Sequence, residues 1–237
     1  MTILAIDSSG LVASTALYID GQIRAEYSVN FKKTHSETLL PMIDEIMSMT
    51  KTEKGELSAI AIAAGPGSFT GLRIGSATAK GLGLALSIPL IPVPTLEGLA
   101  YQAMEANGVI CPMMDARRAQ VYTAMYQFLD GCTCKREACV IPVEELISSL
   151  PADAENIVFL GDGVDVYADQ LKSQVKQPFQ IAPVHHRYQS AAAVALSAAR
   201  RYEEGKIVSA AEFAPEYLRL SQAERERKER LKNGQNN

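Results

Sequence analysis

Gly65-Pro66-Gly67-Ser68-Phe69-Thr70-Gly71-Leu72-Arg73-Ile74-Gly75 follows directly on an apolar run, Ala59-Ile60-Ala61-Ile62-Ala63-Ala64. The run reads as a buried strand, and a long apolar, glycine-studded helix is expected from the turn to about Ser87. Strand, glycine turn and helix together can offer backbone N–H groups to an anion. The match to the common phosphate loops is poor. The Walker pattern ends in Gly-Lys-Ser/Thr, and here the end is Gly71-Leu72-Arg73. The dinucleotide pattern needs an acidic residue on the next strand, and none is suitably placed. The simpler alternative is a turn that opens a helix, with Ser68 or Thr70 as N-cap.

The helix carries a second signal. Gly71, Gly75, Ala79 and Gly83 recur every four residues and so share one face. A row of small side chains lets another helix come close, as in small-xxx-small contacts. Each internal glycine weakens a helix by roughly 1 kcal/mol relative to alanine, so several in one helix ask for a packing reason. Leu72, Leu82, Leu84 and Leu86 spread apolar surface around the rest of the helix, which predicts burial on more than one side. The glycine face meets either its own domain or a partner chain.

At 237 residues the chain holds one large domain or two small ones. No apolar run is long enough to cross a membrane as a helix. Met1-Thr2-Ile3-Leu4-Ala5-Ile6-Asp7 has no basic segment ahead of its apolar stretch, so no signal peptide is expected. A net charge of −4 argues against a strong stand-alone nucleic-acid binder. Four cysteines are too few for a disulfide scaffold, and a reducing cytoplasm is the expected compartment. Cys132-Thr133-Cys134 and Cys139 lack zinc-site spacing and a nearby histidine, so they read as strand residues, and no metal site is expected.

The chain repeats itself. The first half has a strand ending at Asp7, a second over Ser14–Ile19, the turn Asp20-Gly21 and a third from Gln22 to about Val29. Asp-Gly between apolar runs is a strong hairpin signal. A helix follows from near His35 to about Met49, then the Ala59–Ala64 strand, the glycine turn, the long helix and a short strand at Leu90–Val93. Pro41 is tolerable only in a first turn, so the regular helix is expected to begin near Leu39 or Leu40. The second half keeps this order. Strands run Val109–Asp115, Gln120–Phe128 and Lys135–Ile141, with Asp130-Gly131 between the last two. A helix at Val143–Leu150, the strand Ile157–Leu160, the turn Gly161-Asp162-Gly163 and a helix to about Leu171 complete it. The order predicts an α/β protein of two duplicated ribonuclease-H-like lobes, the pattern of the actin-like ATPase superfamily, with a nucleotide cleft between them. The expected boundaries are 1–104 for the first lobe with its helices, 105–218 for the second, and 219–237 for a charged C-terminal helix or tail.

Four stretches resemble the bacterial TsaB (YeaZ) family. They are Ile3–Gly10, His35-Ser36-Glu37-Thr38-Leu39-Leu40-Pro41, Gly65–Gly75 and Pro89–Gly98. The resemblance is strong over roughly the first hundred residues and beyond that one of layout and length. It implies a non-catalytic accessory subunit for threonylcarbamoylation of the adenosine beside the anticodon in ANN-decoding tRNAs. It also implies a TsaD-like catalytic partner, a TsaE-like ATPase, tRNA met through the complex, and a homodimer when alone. TsaC separately makes the threonylcarbamoyl-adenylate donor. The catalytic relative carries two metal-binding histidines in an H-x-x-x-H spacing, where this chain has Thr95 and Leu99. Leucine cannot ligate a metal and threonine does so poorly, so the metalloprotease-like reading is rejected.

Asp7 ends the first strand where actin-like ATPases keep a carboxylate for Mg²⁺ and phosphate. The alternative is a carboxylate that caps its own turn. Asp7, Gly65, Gly67, Ser68, Thr70 and Arg73 are thus the candidate anion- or nucleotide-binding residues, with room for ATP or ADP at a partner interface. His35 and Glu37 have no nucleophile nearby in sequence, so no triad is argued and no catalytic residue is assigned. The His35 helix spreads Leu39, Leu40, Ile43 and Met47 around more surface than one core-facing stripe needs. With Gly71, Leu72, Gly75, Ala79 and Leu82 they form the expected partner interface, two helices meeting an equivalent pair as a bundle. Arg117 and Arg118 open the second lobe, where they either meet phosphate or tRNA or belong to a polar turn. The segment Gln222 to Lys232 is dense in Arg, Lys and Glu and reads as a solvated helix, with contact to tRNA in the assembled complex as the alternative. Two other classes stay open, an autonomous nucleotide-dependent kinase or acyltransferase of the same superfamily and a homodimeric interaction protein with no tRNA role.

Overall fold

Two five-stranded mixed sheets with the same strand order make up the molecule, which is a computed structural model describing residues 1–31 and 34–219. The first sheet joins β1 (Thr2–Asp7), β2 (Ala13–Ile19), β3 (Gln22–Val29), β4 (Ala59–Ala63) and β5 (Leu90–Val93) in the order β3-β2-β1-β4-β5. The second joins β6 (Val109–Asp115), β7 (Gln120–Phe128), β8 (Cys132–Pro142), β9 (Ile157–Leu160) and β10 (Phe179–Ile181) in the order β8-β7-β6-β9-β10. In each, the first three strands form an antiparallel meander and the last two pair in parallel. This is the duplicated ribonuclease-H-like architecture of the actin-like ATPase superfamily.

Strand alternation assigns the helices. On β1 and β4, Leu4, Ile6, Ile60 and Ile62 point one way, into a core with α1 (His35–Thr50) and α2 (Phe69–Leu86). Ile3, Ala5, Ala59 and Ala61 point the other way and meet α6 (Ala191–Glu203) through Val194, Ala195 and Ala198. Small residues on both sides let this helix lie close to the sheet. In the second lobe, Cys111 and Met113 face α4 (Val143–Ser148) and α5 (Asp162–Gln174). Ile110 and Met114 face α3 (Thr95–Tyr101), with Leu96 and Leu99 between them.

The lobes are therefore joined by packed helices, α3 on the second sheet and α6 on the first. Glu97 of α3 is nearly buried and binds three partners on α6. It accepts from Ser197 Oγ at 2.6 Å, Arg200 Nη2 at 3.0 Å and Arg201 Nη1 at 3.3 Å. A buried carboxylate is stable only with such company.

Two expectations need correction. The second lobe does not run to residue 218, because α6 returns to the first sheet, where its apolar face is buried. The segment after α6 stays with the first lobe, since Val208 pairs with Leu90 of β5 through N···O distances of 2.9 Å each way. Helix α1 starts at His35 rather than near Leu39, so Pro41 lies inside it. Pro41 is exposed, so water can replace the donor that its ring lacks. Apart from Arg219, the expected charged tail over 219–237 lies outside the described residues. Strand β10 and helix α3 have no counterpart among the predicted elements.

Candidate functional site

Asp7 closes β1 inside the first lobe, 1 % exposed. Its Oδ1 accepts from the Ser9 N–H at 2.8 Å and from Ser9 Oγ at 2.6 Å. Burial pushes its carboxyl up to about 6, against the two Ser9 bonds and the nearby His35, which favour the charged form. The second lobe repeats the motif, for Asp115 closes β6 and its Oδ1 accepts from the Arg117 N–H at 2.8 Å. Beside it Asp162 starts α5, accepts from the Asp115 N–H at 3.3 Å and is likewise raised by burial to about 6.

The glycine turn folds onto the end of β1. The Ser9 carbonyl accepts from the Ser68 N–H at 2.7 Å and lies where a Cβ on Gly67 would sit. Ser8 Oγ donates to the Gly71 carbonyl at 2.8 Å. Asp7, Gly67 and Ser68 are thus brought together through Ser8 and Ser9. Several of the turn's amides are committed within the chain. Gly65 donates to Thr95 Oγ1 at 3.1 Å, Gly71 to Ser68 Oγ at 3.3 Å and Leu72 to the Ser68 carbonyl at 2.8 Å. Ser68, not Thr70, is the N-cap. Thr70 and Arg73 stand apart from this cluster, exposed on α2, with the Arg73 guanidinium 4.0 Å from the centre of the Phe69 ring.

The segment 205–219 covers the turn. Phe213 is buried in the first core, and Lys80 Nζ donates to its carbonyl at 2.7 Å. The Glu216 N–H donates to the Ala64 carbonyl at 2.7 Å, and the Glu216 carbonyl lies against Gly65, which is held at φ +120°. Tyr217 stacks on Phe69 with ring centres 4.8 Å apart, and Arg219 Nη1 donates to the Ala116 carbonyl of the second lobe at 2.6 Å. This strap carries no periodic pattern, so sequence reading missed it. It missed Gln189 too, a buried side chain against Gly10 whose amide atoms have no partner among the described residues.

The expected partner interface is corrected by burial. A Cβ on Gly71 would overlap the Ser8 carbonyl, one on Gly75 would overlap Ser8 Oγ, and one on Gly83 would press on Ala210 and Leu90. Leu39, Ile43, Met47, Leu72 and Ala79 are also buried in this chain's own core, and Leu82 packs partly against it. The small-residue stripe is a close approach, but to the chain's own β1 end and strap. Of the named residues only Leu40 is well exposed, at 55 %. The outward face of α2 is a different stripe, Ala77, Gly81 and Ala85, flanked by Leu84. Apart from its own stretch of helix, no atom of the described residues lies within 4 Å of where a Gly81 Cβ would stand.

A family model described as TsaD, tRNA N6-adenosine threonylcarbamoyltransferase, matches residues 25–227. The tRNA threonylcarbamoyladenosine biosynthesis protein TsaB of Bacillus subtilis is 33% identical over 94% of this chain and 96% of its own length. The chain belongs to the TsaB family. The TsaB of Escherichia coli is 40% identical over 54% of this chain and 55% of that protein. The solved structure of YeaZ from Pseudomonas aeruginosa superposes with a TM-score of 0.80 at 27% identity, covering 92% of this chain and 99% of that one.

In this TsaB-family chain the pair at the H-x-x-x-H spacing is buried in α3. Thr95 is fully buried and occupied by Gly65, while Leu99 belongs to the core beneath the second sheet. Among the described residues no helix is long and apolar enough to cross a membrane.

Proposed function

We propose that this chain is the accessory subunit for threonylcarbamoylation of the adenosine beside the anticodon in ANN-decoding tRNAs. It binds a TsaD-like catalytic subunit and holds it in a competent arrangement. A TsaE-like ATPase joins the pair, and the chain forms a homodimer when alone. The names of the TsaB relatives support the pathway. The observation that carries the binding role is the outward face of α2, where Ala77, Gly81 and Ala85 leave a shallow track beside Leu84, which is 59 % exposed. Helix α1 packs beside α2 and adds Leu40. Two such helices fit a matching pair as a bundle. Any ATP or ADP belongs at that interface in this reading, because the Gly65, Ser68 and Gly71 donors of the glycine turn are used within the chain.

Co-purification with a tagged TsaD-like subunit tests the surface. Gly81→Arg is expected to cut the retained chain at least tenfold. Retention equal to wild type would remove α2 from the interface.

A further inference from the structure

The hairpin from β6 to β7 takes a shape that its residues resist. Arg117, Arg118 and Ala119 stand at φ of +60°, +57° and +57°. In that region Cβ crowds the following carbonyl, and glycine is the usual occupant. All three are exposed and none is glycine. The backbone is nevertheless fixed. Gln120 donates to the Arg117 carbonyl at 3.2 Å, Ala116 to the Gln120 carbonyl at 3.0 Å and Val143 to the Ala119 carbonyl at 3.1 Å. Strain kept in place by its surroundings points to side chains with a task.

The side chains here are cationic. Arg219 of the strap, bound to the Ala116 carbonyl at 2.6 Å, brings a third guanidinium to the same hairpin. The neighbouring carboxylates are turned to other work. Asp115 accepts from the Arg117 N–H and the Tyr167 hydroxyl, and Asp162 accepts from the Asp115 N–H. Among the described residues the ion pairs made by arginine use Arg187, Arg200 and Arg201 but not Arg117, Arg118 or Arg219. Arg117, Arg118 and Arg219 against Asp115 and Asp162 leave a small local excess of positive charge in a chain that is acidic overall.

We infer that Arg117 and Arg118, with Arg219 beside them, form a contact for the phosphodiester backbone of RNA. The inference rests on the tRNA reading above. The form of the site favours RNA over a free nucleotide. Mononucleotide phosphates are usually cradled by converging amides. Exposed guanidinium groups at the tip of a hairpin instead suit phosphates spaced along a backbone. Such contacts position a nucleic acid without reading its sequence.

The test titrates an unmodified tRNA transcript with the full chain at several salt concentrations. Arg117→Glu/Arg118→Glu is expected to weaken binding at least tenfold and to flatten the salt dependence of log K by roughly 1.5. Arg117→Gly/Arg118→Gly separates strain from charge. It should melt at a higher temperature than wild type yet bind the transcript less well, whereas a merely structural hairpin would gain stability and keep its affinity. Wild type that binds no better than the Glu variant overturns the inference. So does loss of ATP binding with RNA binding intact, which would assign the arginines to nucleotide. If tRNA modification in cells depends on this chain while the Glu variant binds RNA normally, the contact is refuted and the functional reading stands.

Discussion

Gly75→Leu will melt far below wild type, while Gly81→Arg will melt with it or slightly above. The two glycines lie on one helix, six residues apart, one buried and one exposed. Gly75 faces Ser8 Oγ and the Ile62 side chain, so a Cβ there turns the Ser8 hydroxyl aside and a whole leucine side chain has no room. Ser8 in turn holds the Gly71 carbonyl, so the collision spreads to the glycine turn. Overpacking of this kind costs about 3 kcal/mol or more. In a chain of this size that lowers the midpoint by roughly 10 °C. Gly81 meets no neighbour, and replacing an interior helix glycine gains up to about 1 kcal/mol. Thermal melting of the two variants reads the difference. Equal midpoints for Gly75→Leu and wild type would mean that the stripe does not face inward.

Asp7→Asn will stabilise the protein at pH 8 and leave it nearly unchanged at pH 4. The Asp7 carboxyl is raised to about 6 in the folded chain, chiefly by burial, against about 3.9 in an unfolded one. Between those values the folded state holds the extra proton, so stability falls as pH rises through the window and is level above it. The charged form therefore carries a penalty on the order of 2–3 kcal/mol above about pH 7. An asparagine carbonyl keeps both Ser9 bonds without the charge. Asp162 is raised in the same direction, so the variant loses only part of the wild-type slope. Urea melts at the two pH values measure the effect. A variant less stable than wild type by the same amount at both would show that Asp7 is not a buried, strained charge.

Much of the fold is legible in the sequence because both lobes repeat the same cues. The Asp20-Gly21 turn, with both residues at positive φ, and the Asp130-Gly131 turn mark the hairpins. Short apolar runs ending in Asp7 and Asp115 mark the central strands. What was not legible is which neighbour each face meets. The four-residue stripe on α2 announces a close approach, and periodicity cannot tell a partner helix from Ser8, more than sixty residues upstream. Likewise the alanines of α6 announce close packing without saying that the helix returns to the first sheet. The strap was invisible for another reason. Its hold on the molecule comes from backbone bonds at Val208 and Glu216 and from single anchors at Phe213, Tyr217 and Arg219. None of these has a period.

In the proposed role the chain serves tRNA threonylcarbamoylation through the outward face of α2. The most direct measurement is threonylcarbamoyl-adenosine in bulk tRNA, by mass spectrometry of nucleosides, after depletion of the protein and restoration of wild type or Gly81→Arg. The modification should fall on depletion, return with wild type and stay low with Gly81→Arg. Modification that persists after depletion would contradict that role.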